Sequence, residues 1–145
     1  MRLTALIDWY NNLTPQSIDH LRELYHEQAR FRDPFNNLQG HAAIAALFQH
    51  MFEVTEQPRF QVTDSQMQGK TAWVSWDFHF ILRRHPVTVQ GVTRLDFGDD
   101  GRVVSHRDYW DSAELFLEFP LLGTMTRLAR RRLRLPESPS RRRNG

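Results

Sequence analysis

Three aspartates stand where a carboxylate could transfer protons. Asp33 precedes Pro34, Asp77 lies within a run of apolar residues, and Asp108 is separated from His106 by one residue. Two carboxylates that share an apolar cavity acquire different pKa values, so one can act as an acid and the other as a base. These residue types therefore indicate acid/base chemistry if the fold brings them together. The alternative is that each carboxylate bonds a neighbouring arginine, tyrosine or backbone amide and stabilises the fold.

The composition argues against other kinds of site. The chain has no cysteine, which excludes disulfides, thiolate nucleophiles and cysteine-bound metal. Its seven histidines lack the HxH and HExxH spacings that are typical of metal ligands. We therefore expect a site without a metal or a cofactor.

The elements that must position these residues differ between the two halves of the chain. In the first half, apolar residues recur every three or four positions, which predicts helices at residues 3–10, at residues 15–25 and from residue 41 onward. Residues 29–33 predict a short strand, which ends at Pro34 and a polar turn.

The second half is rich in β-branched and aromatic residues, which favour strands. Four segments predict consecutive strands with short links: residues 60–67, 71–84, 87–97 and 103–110. Such strands form an antiparallel meander. A bent meander that packs on helices gives an α+β fold and leaves a cavity at its open end, where a ligand would bind.

One of these strands has two contrasting faces. In the segment 71–84, one face is entirely apolar, whereas the other carries Trp73 and Asp77. An apolar outer face would not be stable in water, so we expect a second subunit to cover it, in a homodimer formed through the outer sheet face. The face with Trp73 and Asp77 would then line the cavity.

The strand at residues 103–110 places His106, Asp108 and Trp110 on one face. If this face looks inward, Asp108 and Asp77 could approach one another. Trp110 would then be the tryptophan best placed to contact a ligand.

The charge of the chain is uneven. From Arg127 onward there are eight arginines and one glutamate, so the residues before it carry about −5, against a formal +2 for the whole chain. We therefore expect no nucleic-acid binding by the body. No segment is apolar enough to span a membrane or to act as a secretory signal, so we expect a cytoplasmic protein without membrane contact.

Three short motifs and the order of the elements resemble the nuclear transport factor 2-like superfamily, SnoaL-like branch. The motifs are Phe-Arg-Asp-Pro at residues 31–34, Gly-His-Ala-Ala-Ile at residues 40–44 and Ser-His-Arg-Asp-Tyr-Trp-Asp at residues 105–111. The resemblance implies a cone-shaped, curved antiparallel (mixed) sheet wrapped around N-terminal helices, with a C-terminal helical extension. The length of the chain predicts one domain, at residues 1–135, and the prolines, serines and arginines of residues 136–145 predict a basic disordered tail.

Relatives in this superfamily include polyketide cyclases, ketosteroid isomerases and limonene epoxide hydrolases. Similarity to ketosteroid isomerase implies that Asp33 is a base and Tyr10 a hydrogen-bond donor, with Gly91 where that enzyme has a protonated aspartic acid. Similarity to limonene epoxide hydrolase instead matches Asp108 and Asp77 to its two aspartates. Ser75 then stands in the position of its arginine.

The resemblance and the residue pattern together give a set of candidate site residues. The catalytic candidates are Asp33, Asp108, Tyr10, Asp77 and His106. The ligand-binding candidates are Trp110, Trp73, Phe31, Phe48 and Met51.

Three functions are compatible with the sequence. The first is a cofactor-independent isomerase, cyclase or hydrolase that acts on a small hydrophobic carbonyl or epoxide compound, in which Asp33 and Asp108 exchange protons. The second is a non-catalytic ligand-binding or dimerisation module of the same fold. The third assigns a role to the basic tail, as an anchor for anionic lipid or nucleic acid.

Overall fold

The computed structural model describes residues 2–136, and the chain divides into two compact units at Asp111. The helices of the first unit are α1 (Leu3–Asn11), a 3₁₀ helix (Pro15–His20), α2 (Leu21–Leu24) and α3 (His41–Val54). Its strands are β1 (Tyr25–Arg32), β2 (Asn37–Gln39), β3 (Glu56–Gln68), β4 (Thr71–Leu82), β5 (His85–Phe97) and β6 (Val103–Trp110). The α+β fold class expected from the sequence is confirmed.

The six strands form one curved, unclosed sheet in the order β2-β1-β6-β5-β4-β3. The predicted meander of β3 to β6 is antiparallel throughout, whereas β1 lies parallel to β6. This pairing places Phe31 beside His106, and the next pairing across the sheet places Thr93 beside Asp108. Residues that are far apart in sequence therefore meet at the centre of the sheet.

The boundaries near the N-terminus differ from the prediction. Thr14 and Ser17 form a capping box, and Pro15 follows the cap, but only a 3₁₀ helix and one short α-helical turn result. The helix expected to continue to Tyr25 ends at Leu24, because Tyr25 pairs with Val103 as the first residue of β1. Tertiary pairing thus outweighs the helical periodicity of this segment.

A second difference is the short edge strand β2. Residues 37–39 were expected to form part of a polar turn, but they pair with the end of β1 in antiparallel register. Two of the three residues, Asn37 and Gln39, have polar side chains with little strand propensity, and the pairing of this strand depends on the turn that begins at Asp33.

The two faces of β4 are the reverse of what the sequence led us to expect. Val74, Trp76 and Phe80 are buried within the domain, whereas Trp73 is 45% exposed and Asp77 lies on the same outer side. The helices of the same unit cover the apolar face, since α1 contacts β3 and α3 contacts both β1 and β3. The apolar face therefore does not require a second subunit.

Most of the buried side chains of the first unit lie between these helices and the inner face of the sheet. The fully buried positions come from both layers: Leu6 and Ile44 on helices, and Tyr25, Val74 and Leu95 on strands. Burial of such side chains contributes about 1.5–3 kcal/mol each. The site described below is embedded in this core.

The second unit contains α4 (Ser112–Phe116) and α5 (Pro120–Leu133). Pro120 stands at the start of α5, where its missing N–H removes no helical hydrogen bond. Within the part of the chain that the structure describes, no helix has the length and apolar character needed to cross a bilayer. The predicted basic tail lies, apart from Pro136, outside the described residues.

Candidate active site

A chain of hydrogen bonds crosses the core from α1 to β6. The hydroxyl groups of Tyr10 and Tyr25 are hydrogen-bonded to each other, and they lie 3.0 and 2.8 Å from Nδ1 of His106. On the other side of the imidazole ring, Nε2 lies 2.7 Å from Oδ1 of Asp108. The side chain of His106 is 4% exposed and that of Asp108 is 17% exposed, so the pair sits at the boundary of the core.

The chain continues onto β5 and β4. The Thr93 hydroxyl donates to Oδ1 of Asp108, and the indole N–H of Trp76 donates to the Thr93 oxygen at 2.8 Å. Thr93 is 2% exposed, which makes it one of the few buried polar residues. Among residues 2–136, no buried side-chain nitrogen or oxygen lacks a partner, so the network is fully satisfied.

The proton positions in this network follow from the chemistry of its members. An ionised carboxylate only accepts, so His106 must donate from Nε2 to Asp108. In the neutral ring, Nδ1 is then an acceptor, and a tyrosine hydroxyl donates to it. The network thus fixes the tautomer of the imidazole and leaves one tyrosine proton to bridge the two hydroxyl groups.

The two tyrosines remain protonated under ordinary conditions. Burial raises the pKa of Tyr10 well above its usual value, and the adjacent Tyr25 and the Asp108 carboxylate raise it further. Burial likewise raises the pKa of Tyr25, with the hydrogen bond from Tyr10 acting in the opposite direction. Both phenols are therefore available as neutral hydrogen-bond donors.

A small cavity adjoins the network. It is lined by Tyr10, Phe48, Phe60, Val62, Trp76, Thr93, His106 and Asp108. Its free volume of about 20 Å³ holds about one water molecule. The walls are mostly aromatic, and the polar groups are gathered on the side of Asp108.

Asp108 directs one oxygen into the network and keeps the other out of it. Both hydrogen bonds that it receives, from Thr93 and from His106, end on Oδ1. Oδ2 is consequently the oxygen that can exchange a proton with a ligand. A carboxylate held at one oxygen has a fixed orientation, as a general base requires.

Asp33 lies near Asp108 but has a different set of partners. It follows Arg32, which pairs with Arg107, and it lines an outer cleft of about 520 Å³ together with Asp108. Its carboxylate accepts from the backbone N–H groups of Phe35 and Asn36, at 2.8 and 2.7 Å, and from the Asn36 side chain. The oxygens of Asp33 thus stabilise the turn between β1 and β2.

Two of the predicted site residues point away from the cavity. Asp77 faces the outer side of β4, where it accepts from Gln90 at 3.1 Å. The expected approach of Asp77 to Asp108 is therefore wrong, because the two side chains leave the sheet on opposite faces. Trp73, on the same outer face, has its ring centroid 6.3 Å from that of Tyr109.

The remaining predicted residues lie at different distances from the network. Phe31 stacks on the His106 ring with a centroid separation of 4.3 Å, and Phe48 lines the cavity. Trp110 contacts Phe35 and borders two outer clefts. Met51 is half-buried on α3 and is not among the residues that line the cavity.

Three members of the network were not identified from the sequence as site residues: Tyr25, Thr93 and Trp76. Tyr25 was assigned to a helix, and Trp76 was placed on the face expected to meet another subunit. Thr93 did leave a signal, because it alternates with Leu95 and Phe97 on what the pattern predicts to be an inner face. A polar residue in such a row is a candidate for a buried hydrogen bond.

Metal coordination finds no support in the side-chain arrangement. Among residues 2–136, no group of three or more His, Cys, Asp or Glu side chains is arranged to hold a metal ion.

Comparison with protein families gives one match, to the SnoaL-like domain, over residues 6–106. No curated protein matches the chain.

Solved structures show the same fold at low sequence identity. A nuclear transport factor 2-like protein of unknown function from Burkholderia pseudomallei K96243 has a TM-score of 0.71 and 16% identity, and the alignment covers 79% of this chain and 94% of that one. A hypothetical protein of ketosteroid isomerase-like fold from Catenulispora acidiphila DSM 44928, in complex with trimethylamine, has a TM-score of 0.67 and 14% identity, covering 79% and 88%. An epoxide hydrolase from M. tuberculosis that resembles limonene epoxide hydrolase has a TM-score of 0.66 and 17% identity, covering 88% and 95%.

Proposed function

We propose, given that this chain belongs to the SnoaL-like domain family, that it is a cofactor-independent acid/base enzyme for a small hydrophobic carbonyl or epoxide compound. One observation carries the proposal: Asp108 is oriented by His106 and Thr93 at the wall of an aromatic cavity. The fold neighbours include an epoxide hydrolase and a protein of ketosteroid isomerase-like fold, which support the choice of substrate class.

In the proposed mechanism, Oδ2 of Asp108 removes a proton from the substrate or from an attacking water molecule. His106 donates to Oδ1 throughout and keeps the carboxylate in place. The Tyr10 hydroxyl turns from Tyr25 toward the substrate oxygen, and Tyr25 maintains the bond to His106. A neutral phenol in a buried site stabilises the negative charge that develops on this oxygen.

The role of Asp33 in this proposal is limited to the outer cleft that it shares with Asp108. It can take part in a proton exchange with Asp108 only if it releases part of its turn. Asp77 has no catalytic role, because it lies on the outer face of the sheet.

The test compares turnover in the wild type and in the variant Asp108→Asn. A thermal-shift screen with aromatic ketones, sterols and terpene epoxides identifies compounds that bind, and product analysis of these compounds measures turnover. We expect Asp108→Asn to lower turnover by about 10²–10⁴-fold while binding persists, and wild-type turnover to show a bell-shaped pH dependence. Asp77→Asn is the matched control and should be unaffected, whereas full turnover in Asp108→Asn would refute the proposal.

A second candidate is a non-catalytic ligand-binding or dimerisation module. The small size of the cavity favours it, since about 20 Å³ of free volume admits one water molecule and no larger ligand without movement of a side chain. In this case Asp108 would stabilise the fold, and compounds that bind would be recovered unchanged from wild type and Asp108→Asn alike.

We further propose a homodimer through the outer sheet face, on a different basis from the one that the sequence offered. Trp73 and Tyr109 are 45% and 43% exposed, and the guanidinium groups of Arg94 and Arg107 lie over their rings. Light scattering at micromolar concentration should show a dimer for the wild type and a monomer for the double variant Trp73→Ala/Tyr109→Ala. We also propose that the protein is cytoplasmic, and cell fractionation tests this location.

A further inference from the structure

We infer that α5 lies along the surface of an anionic lipid bilayer, with its apolar side chains among the acyl chains and its arginines at the lipid phosphates. The inference concerns the second unit and does not depend on the proposed acid/base function. The sequence predicts no membrane contact on the ground that no segment can span a bilayer. A helix that lies along the surface, however, needs no spanning length.

The first observation is the exposed apolar face of α5. Leu121, Met125 and Leu128 are 75%, 60% and 55% exposed. They follow one another after four and three residues, so at about 3.6 residues per turn they project from the same side of the helix. Leu122 and Leu133 are also exposed and widen the apolar face to about 140°. Contiguous exposed apolar surface of this kind marks an interaction site.

The second observation is that packing within the second unit uses another side of α5. Gly123 is the one buried residue of this helix. A Cβ atom at position 123 would lie 2.9 Å from the carbonyl oxygen of Leu117, so the chain that precedes α5 contacts it closely here. Gly123 points about 150° away from the centre of the apolar face. The exposed leucines are therefore not the residues that hold α5 in its own unit.

The third observation is the charge of the helix. Residues 119–135 contain five arginines and no acidic residue. Arg127 and Arg131 project from the side of α5 opposite the apolar face. Arg132 lies among the leucines in the last turn, where its long side chain can extend from the apolar region to the level of the phosphates.

The helix dipole alone does not account for this arrangement. It favours basic residues in the last turn, which explains the position of Arg130, Arg131 and Arg132. It gives no reason for five large apolar side chains to face water on the same helix. A short helix with an apolar face and a basic polar face is typical of segments that bind at a membrane surface.

An anionic bilayer fits both faces of α5. The apolar face enters the boundary of the acyl chains, and the guanidinium groups pair with lipid phosphates. A nucleic acid would pair with the arginines but leave the leucines in water. A second copy of the helix would cover the leucines but bring arginines of like charge together, because Arg132 lies within the apolar face.

The rest of the chain does not favour the same surface. The residues before Arg127 carry a net charge of about −5, so an anionic membrane repels most of the protein and attracts the region of α5. The proposed cytoplasmic location also fits, since the cytoplasmic leaflet is the one that carries anionic lipids.

The experiment measures flotation of the full chain with lipid vesicles. One set contains phosphatidylcholine alone, and the other contains about one third phosphatidylserine. We expect binding to the anionic vesicles to be at least about tenfold tighter, and to weaken when the NaCl concentration is raised from about 0.1 to about 0.5 M.

Two double variants separate the contributions of the two faces. Met125→Gln/Leu128→Gln and Arg127→Gln/Arg131→Gln both retain helix propensity, because these residue types are all good helix formers. The first should weaken binding at least about tenfold, since two apolar side chains no longer enter the bilayer. The second should weaken it by about 25-fold, or about fivefold for each arginine.

Matched controls change the same residue types elsewhere in the chain. Arg30→Gln/Arg59→Gln removes two exposed arginines of β1 and β3, and Val54→Gln replaces an exposed apolar residue of α3. Both should bind anionic vesicles within about twofold of the wild type, since neither change touches α5.

A second measurement reports the orientation of the helix. The chain has no cysteine, so a single introduced cysteine can be labelled with an environment-sensitive fluorophore. The label in Met125→Cys should be protected from an aqueous quencher when vesicles bind, whereas the label in Arg127→Cys should stay accessible. Equal protection at both positions would contradict a helix that lies along the surface.

Three other results would overturn the inference. Wild-type binding by Met125→Gln/Leu128→Gln would assign the attraction to charge alone. Binding to a single-stranded oligonucleotide but not to vesicles would identify a nucleic acid as the partner. A dimer that Met125→Gln/Leu128→Gln dissociates, without any vesicle binding, would show that a second copy covers the face.

A last variant separates α5 from the arginines that follow it in the sequence. Arg141→Gln/Arg142→Gln/Arg143→Gln should retain vesicle binding and the protection of a label at position 125. Loss of binding in this variant, with wild-type binding by Arg127→Gln/Arg131→Gln, would assign the membrane contact to residues 137–145 and refute the role of α5.

Discussion

His106 is held at both ring nitrogens, by a tyrosine hydroxyl at Nδ1 and by Asp108 at Nε2. A buried imidazole with both positions occupied has one stable tautomer, and the carboxylate beside it has one stable orientation. Phe31 stacks on the ring from β1 and restricts it further. At this scale the orientations of the imidazole and of the Asp108 carboxylate are fixed before any ligand arrives, as the proposed acid/base catalysis demands.

The buried tyrosines predict how stability depends on pH. Because burial raises the pKa of Tyr10 and Tyr25 in the folded state, both states keep these protons below pH about 10, and only the unfolded state releases them above it. The free energy of unfolding should therefore fall above pH about 10, by about 1.4 kcal/mol per pH unit for each tyrosine.

Urea denaturation at pH values from about 9 to about 11 measures this slope. A free tyrosine titrates in this pH range, so the unfolded state loses its tyrosine protons there. Tyr25→Phe should lower the slope by the contribution of one tyrosine, and the double variant Tyr10→Phe/Tyr25→Phe should lower it by the contribution of two. Phe60→Leu serves as the control, since it lowers stability but removes no titrating group. An identical slope in wild type and double variant would show that these tyrosines lose their protons in the folded state.

The turn between β1 and β2 shows how one residue can organise an element. Asp33 accepts from two backbone N–H groups and from the Asn36 side chain, and its own N–H donates to the Asn36 carbonyl at 3.0 Å. This arrangement starts the three-residue strand β2, which adds the last strand to the sheet. An aspartate before proline is well suited to such a turn.

Substitution of Asp33 separates its structural role from a catalytic one. Asp33→Ala should lower the free energy of unfolding by about 1–2 kcal/mol, because the half-buried donors of Asn36 lose their acceptor. Asp33→Asn keeps an oxygen in the same place and should cost less than about 0.5 kcal/mol. Urea denaturation of both variants measures the difference. Loss of turnover in a fully stable Asp33→Asn would instead assign the carboxylate to the chemistry.

At the scale of the whole chain, the core and the candidate site both lie within the first unit. The buried apolar side chains run from Leu6 to Val103, and of residues 112–136 only Gly123 is buried. The second unit instead exposes the apolar side chains of Leu121, Met125 and Leu128 on α5, next to its arginines. The side chains of the network and of the lining of its cavity all come from the first unit.

A fragment that ends at Asp111 tests the single domain that the sequence predicts at residues 1–135 against the two compact units of the structure, of which the first contains the core. We expect the fragment to fold by itself, with a cooperative urea transition and a slope of about 1–3 kcal/mol per M, the range of small domains. The ¹H–¹⁵N NMR signal of its Trp76 indole N–H should match that of the full chain. A fragment without a cooperative transition would show that the helices after Asp111 belong to the same folding unit.

The sequence by itself indicated the family, the α+β class, the four long strands and the shared strand face of His106 and Asp108. These features depend on local periodicity and on short motifs, which act over a few residues. It could not determine that β1 lies parallel to β6, which brings Tyr25 and Phe31 to His106, because that pairing joins segments about seventy-five residues apart.

Only the tertiary structure decided which face of β4 lines the core. Alternation separates the two faces of a strand, but the helices that cover one of them come from distant parts of the chain. The apolar face lines the core, because burying Val74, Trp76 and Phe80 is more favourable than burying Asp77 without a charged partner. With this face inward, Trp76 lies against Gly91 and donates a hydrogen bond to Thr93. Its ring forms part of the wall of the cavity.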